Sequence, residues 1–221
     1  MRKVDLGEVL PKQVLETNQQ QAQKIIDAAQ VDAVSPDSQL IYFAAFDGTN
    51  NDRDHLERSG NRFDTNVAEL ATQVNDAKAT NPNLEVGYFP GILQSLSPAT
   101  WELPGVTQQV INSAQKAWVN FAELFADWLK DNPSGGTATA VLTSFSRGGA
   151  SAAIFSQMLY EKGLVDQSPP YPVLIPPGQV KVTAGVLFDP VTTGVTCNLA
   201  FAPNVSNIVH IRAQDEYRQV F

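Results

Sequence analysis

The sequence is poor in the residues that staple a fold, grip nucleic acid or cross a membrane. A single cysteine, Cys197, among 221 residues excludes an internal disulfide. With no base or metal partner in its sequence setting, Cys197 reads as a small, half-buried apolar residue. Positive charge is scarce: 15 Lys and Arg stand against 23 Asp and Glu, giving a net charge of −8 and a pI near 4.7. The basic footprint that nucleic-acid binding requires is therefore missing. No window approaches the length of a membrane-spanning helix. The first thirty residues carry charges and glutamines in place of a continuous apolar stretch, so no Sec signal peptide is expected. Histidine is scarce too, with only His55 and His210. There is no internal repeat.

What the chain does carry is apolar. Hydrophobic residues make up 43% of it, enough for a substantial core, and the length fits one domain of moderate size. Residues 1–35 differ from the rest. Leu15 to Ala29 sets Gln19, Gln20, Gln21 and Gln23 among a few apolar residues and reads as a Gln-rich N-terminal helical arm. Ser35-Pro36-Asp37-Ser38 breaks that pattern, and the domain over 36–221 follows. Leu40 to Phe46 is a nearly unbroken apolar run, as suits a strand covered on both faces. Leu84 to Phe89, Thr137 to Leu142, Val180 to Phe188 and Ile208 to Ala213 read as further strands. Helices are expected over Thr65 to Ala79, Val106 to Asn132 and Ala150 to Tyr160, and a proline-rich loop over 166–178. This alternation predicts an α/β fold, a mostly parallel sheet with helices on both faces.

The run Thr143-Ser144-Phe145-Ser146-Arg147-Gly148-Gly149 lies between a β-prone segment and a helix-like one. Strand, sharp turn and helix with a serine at the corner is the layout of a nucleophile elbow, where backbone strain exposes the hydroxyl. The position two after the serine must be glycine, because a side chain there would strike the neighbouring strand; Gly148 meets that need. Ser144 stands where a second glycine is usual. Ser146 is thus the candidate nucleophile, needing a base and a carboxylate to orient that base. The N–H of Arg147 and one from Gly48 or Thr49, with Gly48 preferred, are the candidate oxyanion donors. Asp189, at the carboxyl end of a later strand, is the candidate acid; an Asp-Pro pair also starts turns, and Asp215 is an alternative. His210 lies inside an apolar strand and reads as a buried structural histidine, while His55 precedes the serine in a charged loop. Neither is a convincing base.

Asp47, Asp52 and Asp54 place hard oxygens in one loop, but their spacing does not match a calcium loop, so no metal is assigned. The stripe Trp118, Phe121, Phe125 and Trp128, three and four apart, reads as the core face of a helix, with a lipid-cleft wall as the other reading.

Six segments then agree in order: Phe46-Asp47-Gly48-Thr49-Asn50-Asn51, Asp64-Thr65-Asn66-Val67-Ala68, Tyr88-Phe89-Pro90-Gly91, Ser144 to Gly149, Phe188-Asp189-Pro190-Val191, and His210 with Asp215-Glu216-Tyr217-Arg218. This series, spanning roughly residues 40 to 221, resembles the phospholipase effector family of type VI secretion, an α/β-hydrolase group. The resemblance implies a serine esterase cutting phospholipid acyl esters, with Ser146 as nucleophile, Asp189 as acid and no cofactor. It implies an antibacterial toxin delivered into target bacteria by a contact-dependent machine, and an immunity protein as partner. It places the catalytic histidine after the Asp-Glu-x-Arg segment, in a glycine-rich motif not found before Phe221. A domain incomplete at its C-terminus is therefore expected, completed by a missing segment or a second chain. Two alternatives stand beside this reading. One is a non-lipid carboxylesterase. The other is a catalytically incomplete binding module that docks through the Gln-rich arm.

Overall fold

A computed structural model describes residues 39–58, 63–93 and 105–213. The Gln-rich arm and the Asp215 alternative lie outside the described residues. Five strands form one parallel sheet: β1 (Gln39–Phe46), β2 (Leu84–Phe89), β3 (Thr137–Phe145), β6 (Lys181–Phe188) and β7 (Ile208–Ile211), in the spatial order β2-β1-β3-β6-β7. Among the described residues, three helices pack on it: α1 (Asn66–Ala77), α2 (Val106–Asp131) and α3 (Gly148–Lys162). The predicted α/β class is the observed one.

The run in β1 is continuous because side chains alternate faces and both faces are covered. Leu40, Tyr42, Ala44 and Phe46 join the core shared with α2 and α3, while Phe43 and Ala45 pack with Val67 and Ala71 of α1. Helix α2 buries Val110, Ala114, Ala117, Phe121 and Phe125 at helical spacing, and Phe121 stacks on Tyr42 with centroids 4.4 Å apart. The aromatic stripe is thus core. Trp118 Nε1 donates to Gly163 O at 2.8 Å and Trp128 Nε1 to Asn83 Oδ1 at 2.9 Å, so both indole donors are satisfied. Helix α3 is apolar nearly all round, since it is wedged between the sheet and α2.

Two local features depart from the sequence-based expectation. The proline-rich segment is not all loop: β5 (Val173–Ile175) lies inside it and pairs antiparallel with β4 (Leu164–Val165) just before it. Strand β6 also carries one extra residue. Ala140 pairs with Val182 and Val141 with Ala184, so Thr183 is unpaired, a β-bulge. The slip exchanges the faces. Val182 before it and Leu187 after it both enter the α2–α3 core, and Phe188 turns toward the α1 side.

Candidate active site

From β1 the chain passes to β2 on one side, then returns across β1 to place β3 on the other. Open α/β sheets bind ligands at such a reversal, in the crevice beyond the carboxyl ends of the strands. The loop after β1 and the turn after β3 both sit there.

That turn is an elbow. Ser146 has φ 52°, a left-handed conformation that costs a non-glycine residue about 1–2 kcal/mol. The turn is held by its neighbours: Ser146 N–H donates to Phe188 O at 3.0 Å, and Val191 N–H donates to Ser146 O at 3.2 Å. These two bonds straddle Asp189, which has a positive φ of its own, 42°, and donates its N–H to Ile211 O at 2.7 Å. The two sequence candidates therefore end adjacent strands in a shared backbone frame. Ser146 keeps 9% of its surface.

The glycine requirement is steric. A Cβ on Gly148 would lie 2.3 Å from Phe46 O and 2.7 Å from Asp47 O. Gly149 leaves room for Pro190 and for Ser144, whose buried Oγ has no hydrogen-bond partner among the described residues. The residue after the nucleophile does more than open α3. Arg147 Nε donates to Thr193 O at 2.7 Å and Nη1 to Thr49 Oγ1 at 3.1 Å, so its guanidinium bridges the loop after β6 and the loop after β1. Partial burial lowers the Arg147 pKa from its ordinary value.

In the loop after β1, Asp47 is buried, with 3% of its surface exposed. Its Oδ1 accepts from Gly48 N–H at 2.7 Å; its Oδ2 accepts from Tyr88 Oη at 2.7 Å and Thr65 Oγ1 at 2.8 Å. Desolvation raises its pKa from the ordinary carboxylate value, and these three hydrogen bonds pull the other way. Gly48 N–H, one of the two loop amides considered as an oxyanion donor, thus already has an acceptor. Sequence reasoning missed this node. Tyr88 and Thr65 were visible only as parts of separate motifs, and spacing does not reveal that they converge on one carboxylate. Among the described residues, no cluster of three or more His, Cys, Asp or Glu could hold a metal ion.

His210 is exposed, not buried as expected. It sits on β7, which among the described residues is an edge strand paired only with β6. It pairs with Leu187 and so shares the α2–α3 face. Ile211, one residue on, pairs with Phe188 and faces the other way. His55 is also exposed, with Nδ1 3.2 Å from Glu57 Oε1. Cys197 is half-buried and free, as read from sequence.

On the α1 side a cavity of about 630 Å³ is walled by Phe145, Phe188, Ile211, Phe63, Asp189 and Arg212, among others. Asp189 reaches it directly. Phe145 and Phe188 are the residues just before Ser146 and Asp189, and Ser146 is not among the described lining residues.

A parallel sheet reversed at the crevice, with a strained serine elbow on its central strand, defines an α/β-hydrolase-like fold. No protein-family model matches the chain, and no curated protein does. Among solved structures, an uncharacterized protein from Pseudomonas aeruginosa is similar at TM-score 0.51 and 15% identity, over 92% of this chain and 40% of that one. The Tle1 effector bound to the VgrG spike from the Type 6 secretion system is similar at TM-score 0.46 and 16% identity, over 83% of this chain and 47% of that one. An acetyl xylan esterase is similar at TM-score 0.34 and 12% identity, over 79% of this chain and 83% of that one. The chain thus spans less than half the length of the first two. At such identities the likeness concerns the fold alone. Among the described residues, no helix is long and apolar enough to cross a membrane.

Proposed function

We propose that this chain carries the nucleophile of a serine esterase acting on phospholipid acyl esters, as an effector delivered into target bacteria. The observation that carries the reading is the backbone of Ser146, φ 52° on a strand–turn–helix corner with Gly148 pressed against Phe46 O. A relaxed turn would not need that glycine, and strain of this kind gathers at functional sites. The apolar walls of the adjoining cavity, Phe145, Phe188 and Ile211, suit an acyl chain.

In the proposed reaction Ser146 Oγ attacks the ester carbonyl carbon while its proton passes to a histidine. Asp189 orients that histidine. Exposed His55 and His210 are not assigned that role. Arg147 N–H and an N–H from the Gly48–Thr49 turn hold the developing oxyanion. The tetrahedral adduct expels the alcohol, which takes the proton from the histidine. Water then adds to the acyl-serine ester, releasing the fatty acid and restoring Ser146. A dedicated immunity protein is the expected partner.

The test is covalent labelling by a fluorophosphonate, together with hydrolysis of phosphatidylethanolamine–phosphatidylglycerol vesicles and of a short soluble ester. Labelling of wild type but not of Ser146→Ala, with fatty acid released from vesicles, is expected. Hydrolysis of the soluble ester alone would point to a non-lipid carboxylesterase. Absence of labelling would point to a binding module.

A further inference from the structure

The loop after β1 has nearly all its backbone donors assigned. Asp47 N–H donates to Phe89 O at 2.9 Å, Gly48 N–H to Asp47 Oδ1 at 2.7 Å, Asn50 N–H to Ile92 O at 2.9 Å and Asn51 N–H to Gly48 O at 2.9 Å. Among the described residues, the Thr49 N–H is the one amide of this stretch without an acceptor. Thr49 is also the loop residue tied to the elbow, since its Oγ1 accepts from Arg147 Nη1 at 3.1 Å.

We propose that Asp47 is a positioning residue: its carboxylate occupies Gly48 N–H and leaves Thr49 N–H as the loop's oxyanion donor. The inference rests on the ester-hydrolysis reading above and specifies which amide does the work and what sets it.

Asp47 is suited to this because it cannot swing. Its second oxygen is gripped by Tyr88 from β2 and by Thr65, which is itself fixed as the N-cap of α1 by accepting from Ala68 N–H at 3.1 Å. Tyr88 is held in turn: its hydroxyl accepts from Arg53 N–H at 3.1 Å, and the Arg53 guanidinium lies 4.4 Å from its ring centroid. Three donors converge on a group that only accepts when ionised; an asparagine amide would turn an N–H toward at least one of them. The peptide between Gly48 and Thr49 is equally confined. Asn51 Nδ2 donates to Gly48 O at 3.2 Å and to Thr49 O at 3.1 Å. Gly91 lies so close that a Cβ on it would be 1.6 Å from Gly48 O. A peptide flip exchanging the roles of the two residues has no room. Gly48 needs to be glycine for a separate reason, since a Cβ there would meet the Phe145 ring at 2.4 Å.

The test uses the full chain labelled with ¹⁵N, free and after fluorophosphonate has modified Ser146. A mass increase on Ser146 tests the esterase reading, and the amide pattern in the adduct tests this inference. The Thr49 amide proton is expected to move downfield in the adduct as it donates to the phosphonyl oxygen. The Gly48 amide, protected by Asp47, is expected to stay in place and to exchange slowly in both forms. Asp47→Asn should speed Gly48 exchange and slow labelling at least about tenfold through the first-order step, with the half-saturating probe concentration unchanged, a smaller loss than the about 10²–10³ of deleting a donor outright. A Gly48 amide that shifts while that of Thr49 does not would overturn the inference and leave the esterase reading standing. So would Gly48 exchange indifferent to Asp47→Asn. Failure of wild type to form the adduct would remove both.

Discussion

Gly148 and Phe46 approach so closely that a methyl group on the first would sit 2.3 Å from the carbonyl oxygen of the second. The obstacle is main chain at the end of β1, which cannot turn aside as a side chain could. Helix α3 can therefore start against β1 only through glycine. Gly148→Ala is expected to lower the unfolding free energy by about 1–3 kcal/mol, the usual cost of overpacking, and to slow fluorophosphonate labelling by displacing Ser146. Urea titration and labelling rates on the same preparation check both effects.

The strain at Ser146 predicts an opposition between stability and activity. Glycine accepts φ 52° without steric cost, whereas alanine meets the same penalty as serine. Ser146→Gly is expected to be more stable than Ser146→Ala by up to about 1 kcal/mol, the steric gain being partly offset by glycine's larger backbone entropy. Neither variant should react with the probe. Equal melting temperatures would mean the turn is not strained.

Arg147 ties together two loops that the sequence separates by more than a hundred residues. Arg147→Lys keeps the charge but cannot bridge Thr193 O and Thr49 Oγ1 at once. Labelling is expected to fall about tenfold, as misplacement by a fraction of an ångström can cause. Faster hydrogen exchange in both loops should accompany it. A variant with slower labelling and unchanged exchange would argue that the guanidinium acts on substrate rather than on the loops.

Asp47 gives a pH signature whose sign is fixed by its shift. Its folded pKa is raised by burial, so between the ordinary carboxylate value and the folded one the native state holds the proton more tightly than the unfolded chain does. Stability contributed by this group is present at low pH and is lost as pH rises through that window. Relative to Asp47→Asn, wild type should lose stability across the window and then run level. Urea midpoints for both proteins from about pH 4 to about pH 8 measure the difference, other carboxylates largely cancelling between them. A wild-type curve that gains on the variant over that range would mean the three hydrogen bonds outweigh desolvation.

The core stack gives a control remote from the site. Phe121→Ala removes the ring that lies on Tyr42 and should cost about 3–5 kcal/mol, as large truncations in a packed interior do. A loss below about 1 kcal/mol in denaturant would mean that α2 is not seated on β1 as described.

Much of the framework was legible in the residues. The unbroken apolar run of β1 signalled a strand covered twice, and the spacing in α2 signalled a helix with one apolar face. The elbow was legible because its strand, serine and glycine are contiguous. The departures come from contacts between distant segments. Nothing local says that Val173 and Ile175 will find Val165 and Leu164 across a proline-rich stretch, since pairing there depends on the loop closing back. His210 was misread because an apolar run looks the same in a central strand and at an edge, and position in the sheet is a property of the whole topology. Asp47 looked like a loop carboxylate and is the hub of three hydrogen bonds, two of them from partners 18 and 41 residues away.

The unpaired Thr183 has a reach beyond its own position. Strict alternation counted from the start of β6 would send Phe188 toward α2 and turn the following acid with it. One surplus residue reverses that parity, so the aromatic side chain ends on the cavity wall. A chain lacking that one residue could pair with β3 in regular alternation and keep Phe188 on the cavity side, whereas one that kept it without the bulge would present the wrong side of the strand where the acid begins. Homologues compared by pattern alone would be misaligned by one place there, at the point where the spacing decides which carboxylate can serve the serine.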